Sequence, residues 1–235
     1  MKVGITLPTF ESSTGAALAL VREAEETGID GLFAFDHLWP GSDKSRPALS
    51  MYPVLGAAAA LTRRISIGSL VARLGLVPDR VVVESLVSLH ELAGDRLVAA
   101  LGIGDSKSLS ENEAFGIPFP ALEIRRASLA AILEELAAMR VEVWVGAVSP
   151  ATLDIARSLG ATANLWDADL DRVRAEVARG PTSWAGPLPA SADETAERLS
   201  ELRDAGADWA IWGWPRSIGL VVQAMEMAGI GKDRD

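Results

Sequence analysis

Residues 1–36 read MKVGITLPTFESSTGAALALVREAEETGIDGLFAFD, a strand-helix-strand pattern. Val3 to Pro8 is a short apolar run of strand character. Gly15 to Thr27 then spaces Ala, Leu and Val helically among Arg and Glu. Gly28 stands where a helix must stop and turn, and Gly31 to Phe35 is apolar again. One strand, one helix and a second strand follow each other without a long loop.

The same alternation continues along the chain and predicts eight strand-helix pairs. The strands are Val3 to Pro8, Gly31 to Phe35, Ile65 to Leu70, Leu97 to Leu101, Glu142 to Val145, Ala161 to Leu165, Thr182 to Trp184 and Asp208 to Trp212. The helices are Gly15 to Thr27, Tyr52 to Thr62, Asp79 to Leu92, Leu122 to Met139, Pro150 to Ser158, Leu170 to Ala178, Ala192 to Ala205 and Ile218 to Ala228. Gly94, Gly160 and Gly206 repeat the helix exit of Gly28. Ser191 with Glu194 and Ser110 with Glu113 have the spacing of capping boxes, while Ser149-Pro150 offers an N-cap followed by proline at the first helical position.

Strand-helix alternation admits an open doubly wound sheet or a closed barrel. The 235 residues give about 29 per unit, a chain slightly below the ~250 residues typical of a (β/α)8 TIM barrel. The open dinucleotide-binding sheet is disfavoured. Its first turn would be glycine-rich, whereas this one reads Pro8-Thr9-Phe10-Glu11, and Gly102-Ile103-Gly104 comes mid-chain without a third glycine. No linker or low-complexity stretch interrupts the rhythm, so a single α/β domain spanning residues 1–235, a TIM barrel with short loops, is expected.

Composition narrows the function. With 49% hydrophobic and 23% charged residues, a large core is expected and disorder is not. The absence of cysteine removes disulfides and thiol chemistry, and fits a reducing compartment. A net charge of -10, with no basic cluster beyond the pairs Arg63-Arg64 and Arg125-Arg126, argues against nucleic-acid binding. The apolar stretch near Leu55 to Leu61 is too short to span a membrane, and Met1 to Ile5 lacks the sections of a signal peptide, so a cytoplasmic protein is expected. Two distant histidines and scattered carboxylates give no metal-ligand set.

A barrel of this kind builds its site at the carboxyl ends of its strands. There the sequence places Asp36-His37-Leu38-Trp39, Ser69-Leu70-Val71, Gly104-Asp105-Ser106, Gly146-Ala147-Val148-Ser149 and Trp166. His37 is able to exchange a proton near neutrality or to serve structurally, whereas His90, inside a helix, reads as structural. Asp105 is either an acid/base residue or an N-cap. Trp39, Trp166, Trp184, Trp212 and Trp214, five of the seven tryptophans, fall on this face, to line a flat pocket or to plug the barrel mouth. Gly146 to Ser149 leads into a helix amino terminus, which favours an anion.

Several segments in order resemble the bacterial luciferase-like family of flavin- or deazaflavin-dependent oxidoreductases. They are Val3 to Thr9, Gly31 to His37, Ile65 to Val71, Leu89 to Arg96, Leu101 to Ser106, Glu111 to Pro118 and Val145 to Pro150. The resemblance implies a barrel, usually dimeric, that holds the deazaflavin coenzyme F420, or alternatively FMN, at its carboxyl face and acts on a small-molecule substrate. It implies that His37, beside Asp36, lies at the reactive face as proton donor or polar contact, and that Asp105 approaches the coenzyme. It further implies a non-prolyl cis bond at Leu70-Val71 backing the ring, and a coenzyme phosphate on the amides of Gly146, Ala147, Val148 and Ser149. Trp39, Ser69, Gly104, Ser106 and Trp166 complete the expected cofactor contacts. The chain resembles a shortened member, with short loops after the fifth to eighth strands. An F420-dependent oxidoreductase is the leading expectation, beside an FMN-dependent monooxygenase and a non-catalytic flavin-binding barrel.

Overall fold

The computed structural model describes residues 1–11, 13–40, 43–146, 149–213, 215 and 217–231, apart from the side chain of Lys107. Ala147, Val148 and Trp214 therefore lie outside the described residues. The elements follow in the order β1 (Lys2–Thr6), α1 (Gly15–Glu26), β2 (Gly31–Ala34), α2 (Met51–Leu61), β3 (Ser66–Ser69), β4 (Ala72–Arg73) and α3 (Asp79–Ala93). Next come β5 (Leu97–Gly102), α4 (Ser106–Ala114), α5 (Leu122–Ala138), β6 (Glu142–Gly146) and α6 (Pro150–Ser158). The chain continues through β7 (Thr162–Trp166), α7 (Leu170–Val177), β8 (Thr182–Pro187), α8 (Ala192–Asp204), β9 (Trp209–Gly213) and α9 (Ile218–Met227).

The strands pair in parallel in the order β3-β2-β1-β9-β8-β7-β6-β5-β4, and β3 also pairs with β5, which closes the ring. β4 continues β3, so the ring is an eight-stranded (β/α)8 barrel. The interruption is a bulge: Gly68 pairs with Val98 and Ala72 with Leu101, so Ser69, Leu70 and Val71 stand opposite Ala99 and Ala100. The Leu70-Val71 peptide within it is cis, as the resemblance implies.

Alternation along the strands divides the core in two. Outward residues such as Val3, Ile5, Leu32, Ile67, Ala99 and Val145 pack beneath helix residues such as Val21, Leu55, Leu86, Leu133 and Leu199. Inside the barrel, Phe33, Trp144 and Trp209 meet one another at ring distances of 5.5 to 5.7 Å and fill the interior. Glycines make the room. A Cβ at Gly31 would lie 2.7 Å from Trp209, and one at Gly4 would lie 2.8 Å from Phe33.

Three expectations are corrected. A helix, α4, occupies residues left as loop; its short polar sequence lacks the apolar stripe by which the other helices announce themselves. Ser110 consequently lies inside α4 and does not cap it, whereas Ser191 and Ser149 cap α8 and α6 through the N–H groups of Glu194 and Thr152. Two of the five tryptophans expected on the carboxyl face also leave it. Trp184 and Trp212 point outward, fully buried under helices and 5.1 Å apart, because the alternation of β8 and β9 gives the inner positions to Ala185 and Ile211.

Candidate active site

The loop after β2 carries Asp36 and His37 to the carboxyl mouth of the barrel, where β4 and α4 meet it. His37 Nδ1 lies 3.2 Å from Glu111 Oε2, and its side chain keeps 40% exposure. The other carboxylate oxygen, Oε1, accepts the N–H groups of Leu38 and Trp39, the latter at 3.3 Å. Arg73 Nη2 stands 2.8 Å from Glu111 Oε2, a charge contact more than an aligned hydrogen bond. Its Nη1 donates to Asn112 Oδ1 at 2.9 Å and to the Ser108 carbonyl at 3.2 Å, while its backbone N–H donates to Asp36 Oδ2 at 3.0 Å. Asn112 in turn ties α4 to the carbonyls of Gly75 and Pro118.

This network separates the two carboxyls electrically. Burial drives Asp36 above the ordinary carboxylate range, against the hydrogen bond from Arg73 and the charges of Arg73 and His37. Burial also opposes ionisation of Glu111, but there it loses: the hydrogen bonds from His37 and Leu38, with the charges of His37 and Arg73, hold it below that range. Burial lowers Arg73 as well, with Glu111, Asp36 and Asp105 countering. A guanidinium stays protonated even so, and the ion pair is preserved. Tyr52 is pushed up by burial and by Asp36, and its hydroxyl has no hydrogen-bond partner among the described residues.

The floor and walls of the mouth are apolar. Val71, half-buried, rises between two glycines: a Cβ at Gly102 would come within 2.3 Å of it, and one at Gly146 within 2.8 Å. Phe10 stacks on Phe35 at 5.7 Å and tilts toward His37 at 6.2 Å, and Trp166 meets Phe35 edge-on at 5.7 Å. Trp166 is 41% exposed. A Cβ at Gly213 would meet its ring at 3.2 Å, so the indole leans across the end of β9.

The remaining expected residues divide. Asp105 precedes α4 and its Oδ1 accepts the Ser108 N–H at 3.1 Å, the capping geometry that the sequence left open beside an acid/base role. Its side chain is exposed, as is that of Ser106. Gly104 adopts φ +69°, where a Cβ would press on Ser108 at 3.3 Å. Ser69 is wholly buried with its hydroxyl donated to the Ala100 carbonyl at 2.7 Å. Trp39 is also buried, packed on Phe115 at 5.5 Å. Leu70 belongs to the barrel interior.

At the amino end of α6, Ser149 Oγ lies 2.9 Å from Thr152 Oγ1 and accepts from Arg126 Nη2 at 3.4 Å. A guanidinium beside a helix amino terminus suits an anion. Arg126 and Glu111 are the residues missed by sequence reasoning. The first was visible only as half of an isolated basic pair. The second stood in the segment Glu111 to Pro118, which carried part of the resemblance but no assigned role.

A model of the family described as luciferase-like monooxygenase matches residues 1–142. The chain is 34% identical over 131 residues to the F420-dependent glucose-6-phosphate dehydrogenase of Beutenbergia cavernae, and 32% identical over 142 residues to that of Nakamurella multipartita. These alignments cover 55% and 58% of this chain but 37% and 38% of the relatives, so the chain spans little more than a third of their length. Among solved structures, an F420-dependent secondary alcohol dehydrogenase in complex with an F420-acetone adduct superposes with TM-score 0.78 at 11% identity, over 97% of this chain and 98% of that one. A coenzyme F420-dependent tetrahydromethanopterin reductase from Methanopyrus kandleri superposes with TM-score 0.70 at 14% identity, over 95% and 96%. At these identities the likeness establishes the fold. The family match takes in Asp36, His37, Leu70, Val71, Asp105 and Glu111, and the chain belongs to the luciferase-like monooxygenase family.

Proposed function

We propose that this barrel is an oxidoreductase that holds coenzyme F420 at its carboxyl mouth and exchanges a hydride between it and a small alcohol or carbonyl compound. The observation that carries the reading is the Glu111-braced His37 on the edge of an apolar mouth, in a chain whose curated relatives are F420-dependent. The residues fit a flat ring with an anionic tail. Val71, set up by the bare positions at Gly102 and Gly146, offers a floor, Phe10, Phe35 and Trp166 offer walls, and Arg126 with Ser149 offers a phosphate site.

The coenzyme, when bound, supplies the hydride-carrying ring, and the protein supplies orientation, water exclusion and the proton route. In the oxidation direction His37 takes the substrate hydroxyl proton while the carbon-bound hydrogen departs as hydride; in the reduction direction it returns that proton to the new alkoxide. Exposed Asp105 stands near enough to act on Arg73 electrostatically and is a second polar group at the rim. Among the described residues no helix is long and apolar enough to cross a membrane. A homodimer is the assembly that the resemblance implies, and Val81 and Leu92, exposed three turns apart on α3, are apolar surface of the kind a partner covers; the cysteine-free composition fits a cytoplasmic setting.

His37→Ala tests the reading. Glucose 6-phosphate and propan-2-ol are the two substrate probes, and the readout is the absorbance of oxidised F420. The variant is expected to fold and to bind F420 as before, with turnover reduced by about 10²–10⁴-fold. Unchanged turnover would remove His37 from the reaction.

A further inference from the structure

We infer that Glu111 is a positioning residue that selects which nitrogen of His37 exchanges the proton, an inference that rests on the reading of His37 as the proton-handling group. The division of labour on the Glu111 carboxylate is the argument. Oε1 is occupied by two backbone donors, the N–H groups of Leu38 and Trp39. Oε2 faces Arg73 Nη2 at 2.8 Å and His37 Nδ1 at 3.2 Å. Every neighbour other than the imidazole is a donor that has no acceptor to offer. An ionised carboxylate has no proton to give, so the hydrogen on this contact belongs to His37 Nδ1. Neutral imidazole carries one such hydrogen, and Nε2 is thereby left as the bare acceptor on the ring's open side.

Arg73 makes this choice durable. Its guanidinium is 5% exposed and Glu111 3%, so neither charge is bathed by water, and each would be unpaired without the other. Asn112 Oδ1 and the Ser108 carbonyl fix the guanidinium from the side of α4. The same carboxylate therefore orients the ring, pins the backbone that carries it and joins β4 and α4 to the loop after β2. None of these contacts needs Glu111 to touch substrate.

Glu111→Gln, made in an Arg73→Met background that removes the competing donor 2.8 Å from Oε2, separates this role from mere support. The N–H groups of Leu38 and Trp39 require an acceptor at the Oε1 position, which assigns the amide oxygen there and turns the amide NH2 toward His37 Nδ1. An NH2 donates, so Nδ1 must become the acceptor and the hydrogen must move to Nε2. The chain has two histidines, so nitrogen-15 histidine labelling gives two ring spectra, and His90→Gln assigns them. In mildly alkaline buffer, wild-type His37 is expected as the Nδ1–H tautomer and Glu111→Gln as the Nε2–H tautomer. Turnover of the F420-loaded variant should fall by about 10²-fold or more. A wild-type His37 found as Nε2–H overturns the inference without any variant or coenzyme, and so does an unchanged tautomer in Glu111→Gln. An inverted tautomer with unaltered turnover overturns instead the proton-handling role of His37, which keeps the two failures apart.

Discussion

Arg73 and Glu111 face each other at 2.8 Å with side-chain exposures of 5% and 3%, a buried ion pair at the mouth of a barrel whose interior holds a cluster of rings and aliphatic groups. Removing one partner strands the other. Glu111→Ala is expected to destabilise the fold by about 3–5 kcal/mol in urea unfolding, because a buried guanidinium is left uncompensated. Arg73→Met combined with Glu111→Leu should cost less than the sum of the two single changes. Additive costs would mean that the pair is not coupled.

Asp36 and Glu111 predict opposite responses to pH. Glu111 titrates lower in the folded state than unfolded, so its contribution is present above the unfolded value and is lost as pH falls through the folded one. Asp36 titrates higher when folded, so its burial costs stability above the folded value and ceases to do so as pH falls below the unfolded one. In Asp36→Asn, where the amide oxygen still accepts the Arg73 N–H, stability relative to wild type should therefore rise with pH across the carboxylate range. A flat or falling difference would contradict the buried placement of Asp36.

Packing at the floor is tight enough to test sterically. A Cβ at Gly102 would lie 2.3 Å from Val71 Cγ2, so Gly102→Ala should cost about 1–3 kcal/mol and weaken F420 binding. Adding Val71→Ala should recover much of the stability. Failure of that rescue in thermal unfolding would place the strain elsewhere.

The tryptophans separate scaffold from site. Trp184 is 2% exposed and packed against Trp212, so Trp184→Ala should cost about 3–5 kcal/mol. Trp166 is 41% exposed, so Trp166→Ala should leave urea stability nearly unchanged and raise the Kd for F420. The reverse pattern would restore Trp184 to the mouth.

Much of this was legible from residue order because strand and helix leave different periods in a sequence. Leu170, Ala192 and Ile218 begin helices as expected, and Pro150 to Ser158 matches at both ends. β8 extends to Pro187, past the expected end at Trp184, since Gly186 and Pro187 carry no strand signal and their pairing with Trp212 and Gly213 is tertiary. Asp36 and His37 could be found because the fold directs attention to strand ends. Glu111 could not be assigned a role: it lies on a helix without an apolar stripe, and its partners are 38 to 74 residues away in sequence. The outward turn of Trp184 and Trp212 was likewise invisible until the register of β8 and β9 fixed which side was inner.

Whether this barrel holds F420 is decided by an equilibrium titration of the purified chain with F420 and, separately, with FMN, followed by coenzyme fluorescence. Saturable F420 binding, stronger than FMN binding and weakened by Arg126→Ala and by Trp166→Ala, is the predicted result. Binding of FMN without F420, or of neither, would contradict it.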